Sequence, residues 1–340
     1  MMFSKLASGK NVFFFWHQDE EQMPACLKMN IWNARQRLAD TQWNIFVFNM
    51  DKSSNFFIGN FIDLPNCLYD LENKISDTRG IWGNRSDIIR LMLLHKYGGC
   101  YFDASTILLK NDILNINLYK KMQQANAQLA GYTNVTFTRK TVDQDFFYPE
   151  AKDGMELGVL FAQKNTCLLS CFIDEIKSYW AWKTHEYSYK DYPPFSQFGL
   201  TSNSFLNEYH IHYAIYHLLL AKYPEFLPLI AVQSMHMQNK EKAVTDGPYS
   251  IQDRFCRGNS AYEKASPQRL LKALLPGDLD DFSGKVISFE SRIKLFFNAD
   301  LLVFPGYLRV EIEQYFHKIN DFYQKNSAYK FFYRLNSSAL

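Results

Sequence analysis

The sequence predicts an α/β protein whose core is a parallel sheet, followed by a mainly helical C-terminal stretch. Three observations lead there. Residues 11–16, NVFFFW, are a continuous apolar run of strand length. Residues 24–38 place Leu27, Ile31, Ala34 and Leu38 at helical spacing. WNIFVF, 43–48, is again short, apolar and rich in residues that favour strands. Strand, helix and strand in that order is the pattern from which parallel sheets are assembled.

The remaining elements follow from the same periodicities. A short helix is expected near 66–75. A longer one starts at Ser86, read as its N-cap, with Asp87 in the first turn and Ile88, Leu91, Met92 and His95 continuing one face. It ends at Tyr97-Gly98-Gly99, because glycine takes the left-handed conformation that closes a helix. Cys100 to Phe102 form a short strand. Further strands are expected at 128–132 and 157–163, helices at 167–183 and 204–222, and the end of the sheet near Val232. Beyond it only loops and helices are expected, at 266–275, 290–297 and 307–325. Residues 1–235 are therefore read as one α/β domain and 236–340 as a helical extension packed on it.

Composition removes several classes of function. The 340 residues are 47% hydrophobic and 21% charged, the balance of an ordinary globular chain. A net charge of +2 gives no reason to expect a nucleic-acid partner. The six cysteines contain no CxxC pair, so no structural zinc is expected, and Cys167 and Cys171 would share one helix face. No segment reaches the roughly 20 apolar residues that cross a bilayer, and the chain is expected in the cytoplasm. The C-terminal run with Lys318, Lys325, Lys330 and Arg334 between aromatics would either cover the main domain or touch an anionic membrane face.

The segment SDIIRLMLLHKYGGCYFDAST, residues 86–106, carries the charge that a packed core does not need. A helix over 87–97 climbs ~16 Å, and the extended residues after it return by about as much. Asp103 is then expected beside the helix start, where Asp87 and Arg90, three apart, share a face. An arginine and a helix N-terminus suit a phosphate, and aspartates suit sugar hydroxyls or a divalent cation. Ligands of open α/β sheets bind at that end of the strands. A structural Asp/Arg pair with Asp103 closing a strand is the other reading of the same spacing.

At these residues the sequence resembles the capsular polysaccharide synthesis proteins, whose pattern runs S-D-x-x-R-x-x-L-L-x-x-Y-G-G-x-W-x-D-A-T. The matching residues are Ser86, Asp87, Arg90, Leu93, Leu94, Tyr97, Gly98, Gly99, Tyr101, Asp103 and Ala104. The likeness extends through NVFFFWHQ and ELGVLFAQKNTCLLSCFIDEIKSYW to EYHIHYAIYHLLLAKYP, about residues 11–224. It implies a GT-A type glycosyltransferase with a Rossmann-like sheet, related to the catalytic domains of the large glucosylating toxins. It further implies a nucleotide-sugar donor, UDP- or GDP-linked, and a glycan or lipid-linked acceptor, with retention of anomeric configuration.

By that resemblance the catalytic set is Asp87, Arg90 and Asp103. Donor contacts fall on these three with Phe15, Trp16, Tyr101 and Ser105, and Trp16 is either a stacking platform for the base or a core residue. A cation, Mn²⁺ or Mg²⁺, would lie at Asp103 and Ser105. Ser105 stands where a D-x-D motif has its second acid, so the metal site is a variant one. Asp143/Asp145 and Asp278/Asp280 also match D-x-D but follow no Gly-Gly strand, and are set aside. His236 is a further candidate ligand, whereas His210, His212 and His217 are read as packing and hydrogen-bonding residues of a helix. Two alternatives stand beside the enzyme of glycan synthesis: a non-catalytic module that binds sugar nucleotides or glycans, and a transferase acting on protein.

Overall fold

The first strand, β1 (Asn11–Phe15), is buried at every residue and sits inside a six-stranded sheet. Its neighbours are β2 (Asn44–Phe48) and β3 (Gly99–Phe102), both parallel to it. The sheet continues through β4 (Leu129–Thr133), β5 (Met155–Ala162) and β6 (Ile230–Ser234) in the order β2-β1-β3-β5-β4-β6. The computed structural model describes residues 6–23, 25–75, 78–104, 106–108, 111–133, 155–200 and 211–234, together with strand pieces at 249–250, 279–280, 286–287 and 301–303. The chain divides into two compact units, the first comprising 1–19, 44–102 and 118–234 and the second the remainder.

The sheet is mixed, not parallel as expected. β5 runs antiparallel to both β3 and β4, while β4 and β6 pair in parallel. The strand, helix, strand alternation that predicts a parallel sheet is confined to the first 50 residues, where β1 and β2 do pair in parallel.

Three helices matter for the site: α1 (Thr78–Tyr97), α2 (Cys167–Trp182) and α3 (Ile211–Lys222). Their apolar faces join the sheet in one core, with Ile88, Ile89, Leu91, Leu94, Phe172, Ile176, Ile215 and Leu219 all buried. α2 is capped by Thr166, whose side chain accepts from the Leu169 amide. Its first turn sets the Sγ atoms of Cys167 and Cys171 3.8 Å apart, on one face as expected. Buried Glu175 on α2 receives Lys222 Nζ at 2.5 Å and Tyr192 OH at 3.1 Å, so its charge is compensated.

The turn from α1 into β3 needs both glycines. Gly98 has φ +64° and Gly99 φ +108°, and a Cβ on Gly99 would lie 2.4 Å from the carbonyl oxygen of Asn11 in β1. β3 can only enter beside β1 because there is no side chain at that point.

In the second unit the helix Ala25–Arg37 occupies nearly the expected span. Its Asn30 donates to the carbonyl of Ala104 at 2.9 Å. Thr106–Leu108, Tyr249–Ser250 and Leu301–Val303 pair as a three-stranded sheet, and Leu279–Asp280 pairs with Val286–Ile287. Strand pieces therefore occur where only loops and helices were expected. The helices expected at 266–275, 290–297 and 307–325 lie outside the described residues. Among those described, no helix is long and apolar enough to cross a membrane.

Candidate active site

α1 begins at Thr78, two turns before its expected start. Ser86 is thus not an N-cap, and α1 itself offers Asp87 no N-terminal amides to hold a phosphate. The expectation failed because Gly80 and Gly83 disfavour a helix, whereas Ile81 extends the buried apolar face. Arg85 secures this added stretch, donating from Nε to the Leu68 carbonyl at 2.9 Å and from Nη2 to Glu72 at 2.5 Å.

With the helix continuous, Ser86, Asp87 and Arg90 lie on its middle turns. Arg90 Nη2 donates to Ser86 Oγ at 2.8 Å and pairs with Asp87 Oδ1 at 3.0 Å, while Nε reaches the Ser86 carbonyl at 3.2 Å. The guanidinium lies over the Tyr101 ring, 4.7 Å from its centre, and the Tyr101 hydroxyl meets Ser86 Oγ at 3.0 Å. β3 therefore turns Tyr101 onto the helix face that carries the charges. Planar, weakly hydrated guanidinium suits such a stacked place with several acceptors around it, which an ammonium would fill poorly.

The other carboxylate oxygen of Asp87 is held from α3, where His212 Nδ1 stands 2.8 Å from Oδ2. His212 Nε2 in turn lies 3.3 Å from Trp180 Nε1 on α2. Three helices and one strand so converge on a single carboxylate. Arg90 is 5% exposed and His212 0%, while the Asp87 side chain keeps 14% of its surface. The expected cradle of exposed charges is a mostly internal network with the Asp87 carboxylate as its most open member. Arg90 is committed to Asp87, Ser86 and Tyr101, which suits it to fixing the carboxylate more than to gripping a phosphate.

Past the end of β1 lies an aromatic group. Trp16, half-buried, stands 4.8 Å from the His17 ring, which is 4.7 Å from Trp82 on α1, and Arg85 sits over Trp82 at 4.7 Å. Trp82 precedes Ser86 by about one helical turn. Half-buried aromatic rings are of the kind that stacks on flat ligands. Phe15, one residue earlier, points into the core.

Asp103 follows β3 directly and belongs to the second unit. It is half-buried, and its carbonyl accepts from the Thr106 amide at 2.8 Å, which closes a turn. Ser105, His210 and His236 lie outside the described residues. His217 is fully buried on α3, and burial holds its pKa down to about 3, so it is a neutral packing residue as expected. Among the described residues no group of three or more His, Cys, Asp or Glu side chains is placed to hold a metal ion. Asp103 alone, one carboxylate, fits only a hard cation bound chiefly by a ligand's own phosphates and water.

Sequence reasoning missed His212 as a partner of Asp87, and with it Trp180, His17 and Trp82. A signal existed for the first, since a histidine inside the apolar run IHYAIYHLLL must find a hydrogen-bond partner when buried.

Comparison with known proteins bears on the segment that builds this network. The sequence profile of the capsular polysaccharide synthesis proteins matches residues 3–192, more than half of the chain. The chain belongs to the capsular polysaccharide synthesis protein family. Within the family's matched span lie β1 to β5, α1 and α2, and thus Trp16, Asp87, Arg90, Tyr101, Asp103 and Trp180.

Two fungal proteins are similar over a shorter stretch. O-glycosyltransferase braB of Annulohypoxylon truncatum is 29% identical over 109 residues, 31% of this chain and 25% of its own length. O-glycosyltransferase PaGT of Phomopsis amygdali is 30% identical over 107 residues, with the same shares. The match thus spans a quarter of these relatives. Among solved structures, a glycosyltransferase involved in glycosylation of the major capsid of PBCV-1 overlaps with a TM-score of 0.42 at 9% identity, covering 91% of this chain and 98% of that one. PaToxG glycosyltransferase overlaps at 0.33 and 14%, covering 66% and 76%.

Proposed function

We propose that this protein is a GT-A type glycosyltransferase that moves a sugar from a nucleotide-diphosphate donor to a glycan or lipid-linked acceptor in surface or capsular polysaccharide synthesis, with retention of configuration. The single observation that carries the reading is the Asp87 carboxylate. It is half-buried in a family-matched segment, fixed by Arg90 and His212, and still partly open at the carboxyl end of the sheet. A carboxylate so held serves to accept hydrogen bonds from donor-sugar hydroxyls and to steady positive charge that grows on the sugar as the anomeric C–O bond breaks. The Trp16, His17 and Trp82 rings provide faces for the base. Asp103 would face the ribose or a divalent cation, Mn²⁺ or Mg²⁺, which when bound would offset charge on the departing diphosphate.

A panel of nucleotide sugars, tested for protection against thermal unfolding and for sugar transfer, examines this reading. A donor at a hundred times its dissociation constant adds about 2.7 kcal/mol. If no UDP- or GDP-sugar protects the protein, with or without Mn²⁺, the reading fails. A second reading, a binding module without turnover, is favoured by one observation, the serine at position 105 in place of a second acid. Protection without donor hydrolysis or transfer under any cation would select it.

A further inference from the structure

His212 is held at both ring nitrogens, and the two partners are chemically unlike. Trp180 presents an indole N–H, which can only donate, 3.3 Å from Nε2. Nε2 must therefore offer its lone pair. In the neutral imidazole the proton then belongs to Nδ1, which stands 2.8 Å from Asp87 Oδ2, an acceptor. Both rings are fully buried, and Trp180 is itself fixed edge-on against Tyr179, 4.9 Å between centres. The tautomer is set by packing on α2 and delivered to a side chain on α1.

We propose that His212 is the positioning residue of the Asp87 carboxylate, locked by Trp180 as the Nδ1–H tautomer. A carboxylate turns easily about its last torsion, which has broad minima. Here Arg90 holds Oδ1 at 3.0 Å and His212 holds Oδ2 at 2.8 Å, so the carboxylate plane is fixed from two sides. Placement within a fraction of an ångström is what a charge-stabilising group requires to favour a transition state over bound substrate. The inference rests on reading Asp87 as the donor-sugar carboxylate, but the tautomer itself does not.

The test uses the full chain and separates the two. Long-range ¹H–¹⁵N correlation on uniformly labelled protein, with His212 assigned by its loss in His212→Asn, should show a neutral ring protonated at Nδ1. Trp180→Phe, which keeps an aromatic ring but removes the indole donor, should move it toward mixed tautomers. An Nε2–H ring in the wild type, or no change in Trp180→Phe, overturns the lock whatever the activity. Sugar transfer provides the second arm. His212→Leu should lower kcat by roughly 10- to 100-fold with KM changed far less, the loss expected for one hydrogen bond to a charged group. His212→Asn keeps a donor near the Nδ1 position and should restore most of that loss. Equal losses in both variants, each folded by circular dichroism, would make His212 a packing residue and overturn the proposal. Should the wild type bind no nucleotide sugar, the functional reading falls while the tautomer result still decides the lock.

Discussion

Replacing Gly99 by alanine should damage the protein more than replacing Gly98, although the two are adjacent and chemically identical. At Gly99 φ is +108°, and the new Cβ would stand 2.4 Å from the Asn11 carbonyl oxygen and 3.0 Å from its nitrogen, against 3.4 Å or more in ordinary contact. Those are backbone atoms of β1, and the next residues pair as Val12 with Cys100 and Phe13 with Tyr101. The strand must move by about 1 Å. Positive φ costs ~1–2 kcal/mol, overpacking ~1–3, and the stiffer unfolded chain returns ~0.4–1, for a net loss of about 3 kcal/mol. At Gly98 φ is +64° and the Cβ would meet Lys164 N at 3.0 Å and Lys164 Cβ at 3.2 Å, in a turn that can give way. That change should cost about 1 kcal/mol. For a unit of roughly 200 residues the thermal midpoint should fall by about 6–12 °C for Gly99→Ala and about 2–4 °C for Gly98→Ala. Since Tyr101 follows two residues later beneath Arg90, Gly99→Ala should also weaken donor binding. A midpoint for Gly99→Ala within ~3 °C of the wild type, or a larger fall for Gly98→Ala, would refute the steric account.

The charged network yields a second expectation. Asp87→Ala leaves the Arg90 guanidinium buried without its carboxylate and should cost about 3–5 kcal/mol in urea denaturation. The double change Asp87→Leu with Arg90→Met should recover most of that stability while abolishing donor binding in calorimetry. A third concerns pH. His217 is neutral in the folded state, with a pKa held down to about 3, and titrates near 6.5 when unfolded. Its depressed value means the unfolded state takes up the proton first, so stability is full above ~6.5 and declines as pH falls, by about 2 kcal/mol between pH 7 and 5. His217→Gln should remove that part of the slope; Asp51 and Asp70, whose side-chain hydrogen bonds hold them below the usual carboxylate range, titrate outside this window. The fourth concerns the cation. With Asp103 as its sole described carboxylate, transfer lost on chelation should return only at millimolar Mn²⁺ or Mg²⁺, and Asp103→Asn should not respond.

The elements that sequence reasoning placed well are those with one dominant signal. NVFFFW and WNIFVF are mostly apolar and became β1 and β2; CLLSCFIDEIKSYWAW became α2 over nearly the expected span; Tyr97-Gly98-Gly99 stopped α1. The start of α1 was not legible. Ser86-Asp87 has the form of a cap, and local propensity at Gly80 and Gly83 argued against a helix that tertiary packing then supplies through Arg85, Leu68 and Glu72. The direction of β5 was equally hidden, since its antiparallel pairing with β3 joins residues far apart in sequence. Of the site, the Asp87 and Arg90 pair followed from a spacing of three. His212 and Trp180 come from α3 and α2, more than ninety residues away, and no local periodicity reports which buried histidine meets which carboxylate.

That longer helix changes what Asp87 is. At a helix start the positive end of the dipole would favour its charge, and Ser86 would bind backbone amides. In mid-helix neither is available, and the charge is met instead by side chains: a guanidinium one turn on and an imidazole from another helix, the guanidinium itself steadied by the Ser86 hydroxyl. Such a pair is poor value for stability alone, because apolar residues of similar volume would hold the same helices at least as firmly. What side-chain neutralisation supplies is direction. The dipole of a helix acts along one axis and would leave the carboxylate free to turn, whereas Arg90 and His212 each seize one named oxygen. If Asp87 faces the donor sugar as proposed, a site that must distinguish the hydroxyls of one sugar from those of another gains from the second arrangement, with Arg90 and His212 the residues that orient the charge.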